Sequence, residues 1–122
     1  MKKISRTANI YGAEYEIADK KHLDYDIPCA VCWVHHSTTI MIPATHTCPA
    51  GWTTQYRGHL HGQYWNYHAS QYLCLDDKME HNSVSRKDDD GCIFYAAGVK
   101  CFSLHCPPFD EKLVLTCVVC SK

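Results

Sequence analysis

Runs of β-branched and aromatic residues dominate the chain, and helical periodicity is almost absent. No window keeps apolar residues at positions i, i+3, i+4 and i+7 for more than one turn. Val, Ile, Thr and aromatic side chains favour strands, so the pattern predicts an all-β fold. The predicted strands cover residues 10–17, 31–34, 38–42, 52–56, 71–75, 92–96 and 113–119.

Two of these runs differ in their expected burial. Residues 10–17 alternate apolar and polar positions, as a half-buried strand does, whereas residues 113–119 are apolar apart from Thr116 and predict a strand buried on both faces. Pro, Gly and Asp clusters separate the runs, and residues 76–91 predict a surface loop. We expect one domain over residues 1–122, with residues 1–9 as a loosely ordered N-terminal arm.

Charge and hydropathy exclude several classes of partner. The chain has 122 residues and a formal net charge of −1, so it lacks the basic surface that nucleic acid or an anionic membrane requires. No stretch approaches the roughly 20 apolar residues that span a bilayer, so we expect no membrane insertion. The nine histidines allow the charge to become positive in mild acid.

Nine cysteines form the strongest pattern in the sequence, and they include two CxxC motifs, Cys29–Cys32 and Cys117–Cys120. We interpret them as disulfide-forming, because so many cysteines are typical of secreted domains, and we expect an extracellular protein. Met1 then replaces a leader that has been removed; the alternative is a cytosolic chain. The cysteine number is odd, so at least one thiol stays free or pairs with another chain.

A zinc site and a redox centre are the two alternatives for these cysteines. Two CxxC motifs can supply four thiolates to zinc, but here they lie much further apart than the about 15 to 20 residues of a zinc ribbon. A redox CxxC needs a helix N-terminus to lower its thiol pKa, and both motifs lie in predicted strands. Residues three apart on a strand point to opposite faces, so Cys117 and Cys120 are expected to reach different partners.

Several motifs recur in the order found in a known family. They are Pro28-Cys-Ala-Val-Cys32, Ile40-Met-Ile-Pro43, Thr47-Cys-Pro-Ala-Gly-Trp52, Tyr56-Arg-Gly58, Tyr72-Leu-Cys-Leu75 and Thr116-Cys-Val-Val-Cys120. From about residue 11 onwards the chain resembles the C-terminal domain of sponge short-chain, spongin-type collagens, and more distantly the C-terminal non-collagenous domain of type IV collagen. The resemblance implies a compact, disulfide-stapled antiparallel β domain like one half of the type IV domain.

The same resemblance implies three disulfides, namely Cys74–Cys117, Cys48–Cys120 and Cys101–Cys106. The chain departs from these relatives in having no Gly-X-Y repeat, and only 28 residues precede Cys29, too few for a preceding half-domain. The pairing of Cys29 and Cys32 is therefore left open. Cys92 stands where a small apolar residue is expected and is the additional thiol.

A polar and aromatic stretch at residues 56–68 contains the candidate binding chemistry. Aromatic rings stack on the apolar face of a sugar, and Arg, Asn and His side chains hydrogen-bond to its hydroxyl or N-acetyl groups. The alternative is that these aromatic residues build the core. On a strand, Trp65 and Tyr67 would share one face, and Tyr64, Asn66 and His68 the other. The candidate sugar ligands are Arg57, His59, Tyr64, Trp65, Asn66, Tyr67 and His68.

Metal binding and catalysis have weaker support. His59, His61 and His68 have a strand spacing that suits metal binding, but histidines of a His-rich chain also cluster by chance. Residues 88–91 lack the alternating ligands of a calcium loop and are interpreted as a solvated acidic turn. No carboxylate pair, serine elbow or local Cys/His motif supports catalysis. We expect no enzyme activity, cofactor or resident metal.

The sequence therefore predicts a secreted lectin that binds glycans reversibly and gains avidity as a homo-oligomer. An N-acetylhexosamine is the expected ligand. The main alternative is an extracellular-matrix module that trimerises or caps polymers and has no sugar site. A zinc protein is the third.

Overall fold

The computed structural model describes residues 10–16, 21–67, 71–84 and 91–122, and these residues form strands and loops without a helix. The all-β prediction is confirmed. The N-terminal arm predicted for residues 1–9 lies outside the described residues, as does the acidic turn predicted around residues 88–90. The strands are β1 Ala13–Glu16, β2 Thr39–Pro43, β3 Thr53–Gly62, β4 Leu73–Asp76, β5 Cys92–Ala96 and β6 Thr116–Ser121.

All six strands belong to one sheet with the order β1-β5-β3-β6-β2, and β4 also pairs with β3. β3 pairs with β6 and then with β5 along one edge, and with β4 along the opposite edge. β1 and β5 run parallel, while every other described pair is antiparallel. The antiparallel prediction is therefore wrong for β1, and the sheet is mixed. The long chain between β1 and β5 makes the parallel pair possible, because parallel neighbours need an extended crossover connection.

Strand β6 lies inside the sheet, between β3 and the edge strand β2, and it is the most buried element. Cys117, Val118, Cys120 and Ser121 are all fully buried. A strand buried on both faces was predicted here and is found, but it begins at Thr116 rather than at residue 113. Leu113 and Val114 are exposed, because the chain enters β6 from a turn in which the Leu113 N–H donates to the Asp110 carbonyl.

Three disulfides fasten β6 and a neighbouring loop. Cys117 bonds to Cys74 of β4, and Cys120 bonds to Cys48 in the loop before β3. Cys101–Cys106 closes a short loop between β5 and β6. These are the three pairs that the collagen resemblance implies. The two bonds of β6 leave opposite faces of the strand, as the spacing of three residues requires.

The core forms where β3, β4 and β6 meet. Leu60, Cys74 and Cys117 are buried there, with Tyr56 and Val119 packed against them. The Tyr56 hydroxyl donates to the Cys74 carbonyl at 3.0 Å, and burial raises the pKa of this phenol. β4 approaches β3 so closely that a Cβ at Gly58 would lie 1.6 Å from the Leu75 carbonyl oxygen, and only glycine allows this contact.

One predicted strand is missing. Residues 31–34 form neither a strand nor a turn, and Val31 is 105% exposed. Their apolar sequence suits a strand, but no other strand of the described chain pairs with them. The strand predicted for residues 31–34 is therefore wrong. Conversely, β3 extends six residues beyond the predicted end at residue 56, so that His59 and His61 lie on this strand.

Candidate functional site

The chain turns sharply just after β3, and this turn carries a cluster of aromatic side chains. The Tyr67 N–H donates to the Tyr64 carbonyl at 2.9 Å, which closes the turn around Trp65 and Asn66. The Tyr64 ring lies 5.7 Å from the Trp65 ring and 5.9 Å from the Tyr67 ring, measured between centroids. We call residues Tyr64, Trp65, Asn66 and Tyr67 the aromatic turn.

The aromatic turn packs against Tyr95 of strand β5. The Tyr64 and Tyr95 ring centroids are 4.8 Å apart, a distance typical of packed aromatic pairs. Tyr95 is paired directly with Gly62, so the last residue of β3 and the supporting ring lie side by side. The aromatic turn is thus held on a strand and not on a free loop.

A further aromatic ring, Tyr72, lies over Gly62. A Cβ at Gly62 would come within 2.9 Å of the Tyr72 ring, so the absence of a side chain at this position lets the ring approach. Directly paired residues project from the same face of a sheet, so Tyr72 and Tyr95 flank the same side of Gly62. Neither tyrosine was predicted as a site residue, because both come from distant parts of the sequence. Gly62 was the available signal, since a glycine inside a strand often marks a close approach.

The aromatic turn is accessible to a ligand. Trp65 is 81% exposed, Tyr67 and Tyr64 are also exposed, and Asn66 is exposed between them. Exposed rings beside an amide provide both a flat apolar surface and a hydrogen-bonding group. The predicted division of these residues between two strand faces is wrong, because β3 ends at Gly62 and residues 64–67 form a turn.

Arg57 and His59 belong to a different part of the surface. The backbone N–H of Asp77 donates to the Arg57 carbonyl at 3.0 Å, and His59 Nδ1 lies 3.2 Å from Asp77 Oδ1. The Arg57 guanidinium Nε donates to the His46 carbonyl at 2.8 Å. Arg57 and Gly62 are five residue steps apart along β3, a distance of about 16 Å, so the guanidinium lies far from the aromatic turn.

Arg57 instead lines a polar groove of about 330 Å³ with Asp76, Asp77 and Lys78 among its walls. We call this the polar groove. The structure therefore divides the predicted sugar ligands into two groups, with Tyr64, Trp65, Asn66 and Tyr67 in one and Arg57 and His59 in the other. His68, the last predicted ligand, lies outside the described residues.

His61 lies two residues after His59 in the sequence. Its side chain is buried, so it belongs neither to the aromatic turn nor to the polar groove. It is 3% exposed, and its Nδ1–H donates to the His59 carbonyl at 2.9 Å. Its Nε2 has no hydrogen-bond partner among the described residues. Burial lowers the pKa of His61, because a proton on Nε2 would place a charge in a desolvated site. This histidine was predicted only as a possible metal ligand.

The metal hypotheses gain no geometric support. Among the described residues, no group of three or more His, Cys, Asp or Glu side chains is arranged to hold a metal ion. Cys117 and Cys120 are consumed in disulfides, so the two CxxC motifs do not form a common thiolate site. The remaining thiols are Cys29, Cys32 and Cys92.

The comparisons with known proteins identify no relative. No protein-family model matches the chain, and neither a curated protein nor a solved structure matches it significantly. The described residues also include no helix of the length and apolar character needed to cross a membrane.

Proposed function

We propose that this protein is a secreted lectin that holds a sugar reversibly, without catalysis, at the aromatic turn. The observation that carries the proposal is the exposed ring of Trp65 beside Asn66, on a turn that Tyr95 supports from β5. A pyranose presents an apolar C–H face to such a ring, and an amide hydrogen-bonds to its hydroxyl or N-acetyl groups. An N-acetylhexosamine combines these two chemical groups and is the proposed ligand.

Support for the extracellular location comes from the disulfides. In most organisms disulfides are common in oxidising compartments and rare in the cytosol, so three disulfides in 122 residues are consistent with an extracellular protein. The proposed relationship to one half of the type IV collagen C-terminal domain rests on the motif order and on the agreement of the three disulfide pairs with those it implies. Arg57 and His59 are not part of the proposed sugar site.

A glycan array followed by titration tests the sugar site. We expect binding to N-acetylhexosamine-terminated glycans, and an affinity for the free sugar that falls about tenfold in Trp65→Ala, because the stacking surface is lost. Phe102→Ala is the matched control, since Phe102 is another highly exposed aromatic residue and lies outside the aromatic turn. Array signals at background, or equal affinities for the wild type and Trp65→Ala, would contradict the proposal.

The second candidate is a matrix-assembly module without a sugar site. Its specific support is the number of apolar side chains left exposed, which include Ile10, Val31, Trp33 and Phe102. In this alternative the aromatic turn lies in a subunit interface. Haemagglutination with free-sugar inhibition, measured beside a sizing column, distinguishes the two: an oligomer that never agglutinates favours assembly.

A further inference from the structure

Residues Pro28–Trp33 form an exposed segment that carries two free thiols, and we call it the opening segment. Every residue in it is exposed, including Cys29 and Cys32, and Trp33 is 85% exposed. Ile27 before it and Thr38 after it hydrogen-bond to Ala13 and Lys122 through their backbones. Within the described chain, the backbone groups of the segment itself bond to no other backbone group.

The two thiols of the opening segment cannot bond to each other in this conformation. Residues 27–34 contain no turn or bend, so the chain runs on without folding back. Three residue steps of such a chain place the Cα atoms of Cys29 and Cys32 about 10 Å apart. A disulfide needs this distance to be below about 7 Å.

Cys92 is no better placed as a partner. All nine cysteines lie in the described residues, and six are bonded, so Cys92 is the only other thiol of the chain. Cys92 pairs with Ala13 on one edge of β1, while Ile27, the residue just before the opening segment, donates its backbone N–H to the Ala13 carbonyl on the other edge. Strand β1 therefore lies between Cys92 and Ile27, and the two inter-strand spacings that separate them amount to about 10 Å.

We propose that the opening segment joins two copies of this chain into a disulfide-linked homodimer. Both thiols are exposed, and neither has another thiol within reach among these 122 residues, so the proposed partner is a thiol of a second copy. A second copy presents the same two thiols and the same apolar side chains at Ala30, Val31 and Trp33, so the contact is self-complementary, as in most dimers. Cys92 remains a thiol in the dimer.

The covalent bond is essential to this dimer. Six residues from each copy are far fewer than the roughly 20 to 30 per side of a stable non-covalent interface. The segments alone therefore hold the copies together only weakly, and reduction is expected to return the protein to monomers.

The bond forms by thiol–disulfide exchange with a small-molecule disulfide such as oxidised glutathione. A thiolate of one opening segment attacks the oxidant, which gives a mixed disulfide and releases one glutathione thiol. A thiolate of the second copy then attacks the protein sulfur and releases the second glutathione. Two protein thiols are oxidised for each glutathione disulfide reduced.

The inference deepens the proposed lectin function, because it names the partner that would make the protein bivalent, but its test needs no sugar. Purified protein is equilibrated with oxidised and reduced glutathione and examined by non-reducing electrophoresis and light scattering. We expect a covalent dimer for the wild type and for Cys92→Ser, and only monomer for the double variant Cys29→Ser/Cys32→Ser. Intact-mass measurement of the double variant must show the other three disulfides, which establishes that it has folded.

Two results would overturn the inference. One is a wild-type monomer whose Cys29 and Cys32 carry glutathione or bond to each other. The other is a dimer that survives in the double variant or disappears in Cys92→Ser. Absence of glycan binding would leave the dimer intact, so failure of the lectin proposal is distinguishable from failure of this one.

Discussion

The chain contains the pattern Cys-x-Val-Cys twice, and the two copies have opposite surroundings. Cys117 and Cys120 are fully buried in the inner strand β6 and bond to two different elements of the domain. Cys29 and Cys32 lie in the exposed opening segment, and neither forms a disulfide. The difference comes from the neighbours: β6 has a paired strand on each edge, while the opening segment has none. The same four-residue pattern therefore closes a fold in one place and leaves exposed free thiols in the other.

The largest expected difference concerns stability. Breaking Cys74–Cys117 or Cys48–Cys120 by Cys117→Ser or Cys120→Ser is expected to lower the free energy of unfolding by about 4 kcal/mol, because each bond closes a long loop in the unfolded chain. Cys29→Ser and Cys32→Ser are the matched controls and are expected to change it by less than about 0.5 kcal/mol, since both side chains are exposed.

Urea denaturation of monomeric protein measures both pairs of variants. Equal losses of unfolding free energy in the buried and the exposed motif would contradict this expectation, because they would show that the opening segment also stabilises the fold.

A smaller effect is expected where β4 brings Cys74 against β3. Gly58→Ala places a methyl group 1.6 Å from the Leu75 carbonyl oxygen, so the β4 backbone must shift. We expect a loss of about 3 kcal/mol, typical of overpacking against backbone. Gly98→Ala is the control, because nothing lies within 4 Å of its added Cβ. Thermal unfolding of the two variants provides the measurement, and a Gly58→Ala protein as stable as Gly98→Ala would disprove the close approach.

The smallest expected effect is on the pH dependence of stability, through His61. Its folded-state pKa is lowered, so the unfolded chain takes up the proton first. The stabilisation is complete above the unfolded pKa of about 6.5 and is lost as the pH falls below it, with a slope of at most about 1.4 kcal/mol per pH unit. Between pH 7.5 and 5, His61→Leu is expected to lose less stability than the wild type.

His36→Leu is the control for that comparison, because His36 is exposed. Denaturation curves at several pH values give the slopes. If the unfolding free energies of His61→Leu and the wild type depend on pH in the same way, then the His61 side chain is solvated and not buried.

Local sequence patterns predicted several strands closely, but they did not predict which strands pair with each other. The strand predicted over residues 92–96 has the bounds of β5, and the one predicted over residues 38–42 differs from β2 by one residue. Residues 31–34 have an equally apolar pattern but no partner, and a pattern does not encode a partner. The parallel pairing of β1 with β5 is likewise set by distant contacts.

The same holds for the candidate site: residues close in sequence were predicted together, while contacts between distant residues were not. The closeness of Tyr64, Trp65 and Tyr67 in sequence was enough to group them as one candidate site, but they were placed on a strand, and the turn that they form was not predicted. Arg57 was grouped with them by sequence distance alone, and the length of β3 carries it away. Tyr95 and Tyr72 join the site through pairing and packing across the sheet, which the sequence of the stretch does not contain.

A disulfide map tests the contrast between the two motifs most directly. A mixture of unlabelled and nitrogen-15-labelled protein is reduced, reoxidised together, digested without reduction and analysed by mass spectrometry. We expect Cys48–Cys120, Cys74–Cys117 and Cys101–Cys106 within single chains, and mixed-isotope peptides only for bonds that involve Cys29 and Cys32. A bond from Cys29 or Cys32 to a cysteine of the same chain, or mixed-isotope peptides from Cys117 or Cys120, would contradict it.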